Sequence, residues 1–270
     1  LTDSKKEFAG LWAIILGGSS GFGLASLKKL SHHGMNIAVL YREMAQSESA
    51  LKQTLSEIAK TNGVTILPYN INALEVQGRE EFINHFRAAN PAKKSVRLLL
   101  HSIARGNLKP LTKSGSGDDN VLSTGDLQAT AYAMSYSILD WAQTLLQEDL
   151  FYEDARIIGL TSEGAHRYWE GYAAVSVAKS SLESLCMYMA VEMAHHGLRT
   201  NVVQAGITPT PSLMKINGSD KLIEIATKRN PMGRATATSD VADVVYLLCK
   251  DEASWINGAL IHADGGEHCR

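Results

Sequence analysis

Short runs of β-branched and aliphatic residues alternate along this chain with longer stretches whose apolar side chains recur every three or four positions. The short runs fall at 11–16, 37–41, 64–68, 96–101, 155–161, 200–204 and 259–263, and they predict seven strands. Segments 22–32, 46–61, 121–147, 172–196 and 239–250 carry the helical repeat between them. Strand and helix alternating at this spacing predict an α/β, doubly wound, seven-stranded parallel sheet with right-handed crossovers and helices on both faces.

With 270 residues and no linker composition, residues 1–270 are expected to form a single domain. Hydrophobic residues make up 45%, charged residues 20%, and the net charge is -2, a balance expected of a soluble globular chain with neither a nucleic-acid nor a membrane partner. The polar start and the absence of an apolar run near roughly 18 residues lead us to expect no signal peptide and no membrane span. Cys186, Cys249 and Cys269 lack metal-ligand spacing, and two lie in apolar helical patterns, so reduced thiols, a cytoplasmic setting and no metal are expected. His32-His33-Gly34 and His195-His196-Gly197 each precede a strand and read as helix ends, with glycine in a left-handed cap. The long irregular stretch 105–124, containing Ser114-Gly115-Ser116-Gly117-Asp118-Asp119-Asn120, reads as an exposed excursion.

Candidate chemistry begins after the first strand, where Gly17-Gly18-Ser19-Ser20-Gly21-Phe22-Gly23 opens the first helix. Glycine permits a tight turn and close backbone approach, and unsatisfied amides at a helix start attract a pyrophosphate, so this segment is expected to hold a dinucleotide in a Rossmann-type fold. An acid after the second strand would engage the adenosine ribose, whereas a cation would accept the extra phosphate of NADP. Tyr41 stands there, followed by Arg42, so NADPH is the expected cofactor, with Glu43 near enough to leave NADH open.

The glycine spacing, together with Asn70-Ile71 after the third strand and Asp264-Gly265-Gly266 after the last, resembles the short-chain dehydrogenase/reductase family over nearly the whole chain. That resemblance implies that Asn70 and Ile71 hold adenine. Most of that family places a tyrosine four residues before a lysine, but here Val175 is four residues before Lys179 and Tyr172 is seven before it. On a helix seven residues are about two turns, so both side chains share a face roughly 10 Å apart along the axis. Such a pair suits a reaction in which charge gathers two carbons from the atom that receives hydride. The Tyr-x6-Lys pair, His101-Ser102-Ile103-Ala104 and Ala205-Gly206-Ile207-Thr208-Pro209-Thr210 resemble a divergent enoyl-[acyl-carrier-protein] reductase, in which many members have a second tyrosine where Ser162 stands here.

This resemblance implies reduction of the trans-2 double bond of an enoyl thioester in fatty-acid synthesis, its acyl group carried on acyl carrier protein or coenzyme A. It assigns Ser102, Ile103, Ala104, Gly206, Thr208 and Thr210 to the nicotinamide side of the cofactor site. Lys179 is expected to bind the nicotinamide ribose, Tyr172 to stabilise the enolate as a proton donor, and Ser162 to lend a supporting hydrogen bond. Residues 207–220 mix turn formers with Leu213, Met214 and Ile216 and are expected to form a lid. The family also implies a homotetramer. Two other readings stand beside this one: a carbonyl reductase or alcohol dehydrogenase using Tyr168 or Ser162, and a cofactor-binding sensor or scaffold without catalysis.

Overall fold

The computed structural model describes residues 6–113, 120–216 and 218–270. Its strands are β1 (Trp12–Leu16), β2 (Asn36–Tyr41), β3 (Ile66–Asn70), β4 (Val96–His101), β5 (Phe151–Ser162), β6 (Leu198–Ala205) and β7 (Leu260–Ala263). They form the predicted seven-stranded sheet in the order β3-β2-β1-β4-β5-β6-β7, and every pairing is parallel. Chain order reverses between β1 and β4, so the crossovers diverge there and leave a crevice at the carboxyl ends of the strands.

Both sheet faces are covered, as consecutive apolar residues in the strands require. Trp12, Ile14 and Leu16 of β1 pack into one core with Phe82, Trp141 and Leu182. Ala13 and Ile15 pack into the other with Leu27, Leu55 and Val245. The helices beneath these contacts are α1 (Gly21–His32), α2 (Ala45–Asn62), α3 (Val76–Ala89), α4 (Thr124–Ala131), α5 (Ser137–Gln147), α6 (Ala173–Glu192), α7 (Ser219–Arg229) and α8 (Thr238–Cys249).

Some boundaries differ from the sequence reading for identifiable reasons. Helix α3 adds to the predicted set; it buries Phe82, Ile83 and Phe86 but is otherwise largely polar, so its apolar stripe is short. The stretch read as one helix over 121–147 is α4 and α5 joined by a π-helical turn, Tyr132–Tyr136, which inserts Met134 and Ser135 into the interior. Helix α6 starts just after Tyr172 and gives way to a tight turn, Ala194–His196, closed by Gly197 at φ +79°. Gly34 likewise adopts φ +91°, matching the expected cap. In the excursion read over 105–124, residues 105–113 and 120–123 are neither helix nor strand, while 114–119 lie outside the described residues. The expected lid becomes a short turn, Leu213–Lys215, followed by the start of α7. Among the described residues no helix is long and apolar enough to cross a membrane, and no cluster of His, Cys, Asp and Glu forms a metal site. Cys186 and Cys249 are buried thiols, whereas Cys269 is exposed.

Candidate active site

The turn after β1 is tied to β2, since the Gly17 and Gly18 amides donate to the Leu40 carbonyl at 2.9 and 3.2 Å. Gly17 has φ +85°, and a Cβ on it would lie 2.6 Å from the Ser102 carbonyl oxygen. A Cβ on Gly23 would lie 2.2 Å from the Gly17 oxygen, so only glycine lets α1 start this close to β1. Ser20, the N-cap of α1, uses no side-chain hydrogen bond to close the helix start. Its free amides and the dipole of α1 favour an anion there.

A cleft of about 730 Å³ runs along this turn, walled by Gly17, Ser19, Ser20, Gly21 and Phe22, by Tyr41 and Arg42, and by Ile71. Arg42 is exposed and makes no ion pair among the described residues. Tyr41 directs its hydroxyl to Glu48 at 3.5 Å. Burial, with Glu48 beside it, pushes this phenol up to about 12.

Ser102, Ile103, Ala104 and Thr210 wall both this cleft and an adjoining cavity of about 310 Å³. Tyr172, Lys179, Ser162, Gly206 and Thr208 line the second cavity. Tyr172 is the residue preceding α6, with φ -95° and ψ 4°, and its carbonyl accepts the Ser176 amide at 2.9 Å. Its hydroxyl donates to Ser162 Oγ at 3.4 Å, and that oxygen also accepts the Gly164 amide at 3.2 Å. Burial pushes the phenol above its ordinary value, and Ser162 offsets part of the rise, so Tyr172 carries its proton at neutral pH.

Lys179 is buried on α6 and donates to the Leu160 carbonyl at 2.8 Å. Burial lowers its ammonium to about 8, against the opposing pull of Cys186 and Glu183. His101, at the end of β4, is fully buried with Nε2 2.8 Å from Ser137 Oγ. Burial and then the Lys179 charge lower it to about 3, so this imidazole is neutral. His166 Nε2 lies 2.8 Å from Glu183 Oε2.

These features coincide with a family relationship. Residues 17–268 match the Enoyl-(Acyl carrier protein) reductase family. The chain belongs to that family. It is thus an oxidoreductase of the short-chain dehydrogenase/reductase type. Among its relatives, an Enoyl-[acyl-carrier-protein] reductase [NADH] from Aquifex aeolicus is 29% identical over 93% of this chain and 87% of its own length. An Enoyl-[acyl-carrier-protein] reductase [NADPH] from Staphylococcus aureus is 24% identical over 93% of this chain and 92% of its own. A tropinone reductase homologue from Arabidopsis thaliana is 23% identical over 98% of this chain and 95% of its own. A nicotinamide cofactor therefore accords with the relatives, which differ in whether it is NADH or NADPH.

Against this family background, most residues singled out from sequence gather on the two walls, but Gly23, Asn70 and Tyr168 do not. Gly23 packs against Gly17 behind the cleft. Asn70 turns away: its amide donates to the Glu43 carbonyl at 2.9 Å and accepts the Glu43 amide at 3.0 Å, fixing the loop that carries Arg42. Tyr168, offered as another donor, is 85% exposed and absent from the cavity wall. The sequence reading missed Asn72, Leu74, Arg105 and Lys215 on the cofactor side and Met134, Trp169 and Glu163 on the other. Met134 reaches the wall from the π-helical turn, for which apolar periodicity carries no signal. Lys215 had a visible signal, a cation within the expected lid.

Proposed function

We propose that this protein is an NADPH-dependent reductase of the trans-2 double bond of an enoyl thioester carried on acyl carrier protein or coenzyme A, acting in fatty-acid synthesis. The observation that carries this reading is Tyr172 and Lys179, seven residues apart, lining one cavity whose other walls include Met134, Val175, Ile207, Leu213 and Ile216. The glycine cradle at Gly17 and Gly23 fits a dinucleotide's pyrophosphate, and exposed Arg42 on the cleft wall fits the adenosine phosphate of NADPH. When bound, the nicotinamide supplies a hydride for the β-carbon of the substrate.

The residues of the chain handle the oxygen end of the reaction. Lys179 gives one N–H to Leu160 and retains two for ribose hydroxyls. Tyr172 turns its proton from Ser162 to the thioester oxygen, where negative charge gathers two carbons from the reduced centre. Apolar walls keep water from that charge and strengthen the hydrogen bond. Lys179 must be an ammonium for this role, and because burial disfavours its charged form, the active state is the low-pH state. We expect kcat/KM to fall as pH rises through about 8, measured from pH 6 to about 9.5; a flat profile would place Lys179 outside the reaction.

One contact favours a second reading. Ser162 and Tyr172 are hydrogen-bonded to each other and could jointly hold the oxygen of a simple ketone, as a carbonyl reductase requires. NADPH absorbance followed with a trans-2-enoyl and a β-ketoacyl thioester in parallel separates the two. Oxidation with the enoyl substrate alone supports the proposal, and oxidation with the keto substrate alone replaces it. In the same assay Arg42→Ala should raise the KM for NADPH about tenfold or more and leave that for NADH unchanged, since a hydrogen bond to a charged group contributes about 1.5–3 kcal/mol. Equal changes for both cofactors would remove Arg42 from phosphate recognition.

A homotetramer belongs to the same proposal. Helix α6 leaves Val177, Met187, Tyr188 and Val191 exposed at 48–74%, an apolar band that suits pairing with a second copy. Light scattering at the monomer mass would count against it.

A further inference from the structure

Segment 207–229 walls the cavity through Ile207, Thr208, Thr210, Leu213 and Ile216. Its two ends converge on one carboxylate that lies outside the segment. Glu267 is 1% exposed; one of its oxygens accepts the Ile207 amide at 3.2 Å, and the other accepts Arg229 Nη2 at 2.6 Å. Arg229 Nη2 also reaches Glu163, the residue after Ser162, and Glu163 itself lines the cavity.

The approach is built into the backbone as well, since a Cβ on Gly206 would lie 2.7 Å from Glu267 Oε2. All three charged side chains are largely withdrawn from solvent, at 14% for Arg229, 13% for Glu163 and 2% for Glu267. Burying charges is costly, and well-packed apolar groups would hold a static wall at least as firmly. What an ion pair adds is a defined register between the parts that it joins. Here those parts are both ends of the segment, the turn bearing Glu267 and the end of β5 bearing Ser162.

We propose that Arg229 and Glu267 are positioning residues that latch segment 207–229 over the cavity and set it against the end of β5 that carries Ser162. Neither touches the reacting atoms. They act by holding Ile207, Thr208 and the apolar side chains of the segment in the arrangement that receives the acyl group. The role in turnover rests on the enoyl reductase reading above, whereas the latch itself does not.

The test is Glu267→Gln in the full chain, examined first by peptide-resolved amide hydrogen exchange without added cofactor or substrate. Exchange in 207–216 and 218–229 should accelerate about tenfold or more while that of β4, β5 and β6 stays unchanged, as expected for local opening. With the enoyl thioester, KM should then rise about tenfold while kcat changes by less than about threefold. Arg229→Lys, which keeps the charge but loses the forked donor, should restore part of both effects relative to Arg229→Ala.

Unchanged exchange in the segment, or acceleration spread equally over the sheet, overturns the latch, as does a fall in kcat at constant KM. If Glu267→Gln does not fold, Glu163→Gln, which weakens the outer arm together with the Glu163–Arg167 pair at 3.0 Å, is read by the same exchange criterion. If the unaltered chain turns over no enoyl thioester, the functional reading fails and the exchange result alone decides the latch.

Discussion

Tyr172→Phe is expected to lower kcat for the enoyl thioester by about 10²-fold or more, the contribution typical of a positioned proton donor, while NADPH affinity changes by less than about twofold. The substitution removes one oxygen and leaves the ring that packs on Gly164, where a Cβ would come within 2.4 Å of Tyr172 Cε1. Folding and the shape of the cavity wall are therefore preserved. The cofactor cleft is bounded by Gly17, Arg42 and Ile71 and does not include Tyr172. What disappears is the hydrogen bond to the oxygen on which charge develops, an interaction stronger in the transition state than in the ground state. Steady-state kinetics together with fluorescence titration of NADPH measure the two halves separately. Unchanged turnover would take the proton donation away from Tyr172, and equal losses in turnover and cofactor binding would make the residue structural.

The features most legible in sequence are those fixed within a few neighbouring residues. The glycine turn after β1 could be located because its chemistry is local: the strand end at Leu16, left-handed Gly17 and the helix start at Gly21 lie close together in sequence. Tyr172 and Lys179 could be paired because helix geometry converts a separation of seven into a shared direction. Asn70 shows the limit of such reasoning. It closes β3 instead of following it, and its side chain is taken by the Glu43 backbone, a contact 27 residues away. The Arg229–Glu267 pair lay further beyond reach, because neither residue stands in a pattern of its own and only the folded chain brings α7 to the terminal turn. Register irregularities such as the π-helical turn at Tyr132–Tyr136 depend on the neighbours packed around them and leave no trace in apolar spacing.

A comparable gap lies under the sheet, and it yields the largest expected effect on stability. Asp154→Ala should destabilise the fold by about 3–5 kcal/mol, the cost of leaving buried charge without its partner. Asp154 holds Arg97 at 2.8 Å, Arg156 at 2.6 Å and Arg199 at 3.0 Å, and Arg97 and Arg156 are 2% and 0% exposed. Those guanidiniums also close the end of α8: Arg97 donates to the Cys249 carbonyl at 2.8 and 3.0 Å, and Arg156 to that of Leu248 at 2.8 Å. In the variant Arg97 keeps Asp251, but Arg156 is left with carbonyl oxygens alone. The midpoint of thermal unfolding should fall by roughly 6–20 °C, at about 2–4 °C per kcal/mol for a chain near this size.

Acid should narrow the difference. Burial raises the Asp154 carboxyl, but hydrogen bonds and charge from Arg156, Arg97 and Arg199 more than offset that and hold it below its ordinary value. A carboxylate whose folded value is depressed stabilises the fold above its unfolded value, about 3.9, and loses that contribution as pH falls through the folded value. Wild type and variant should therefore differ by a constant amount from about pH 5 to 8, and the gap should begin to close as pH falls below about 3.9 toward the folded value. Denaturant unfolding at several pH values checks both statements. A difference that persists undiminished into acid would mean that Asp154 acts by packing and not by charge. Activity per folded molecule should survive in the variant at moderate temperature, because Asp154 lies near the start of β5, whereas Leu160, Thr161 and Ser162, which line the cavity, lie at the other end of that strand.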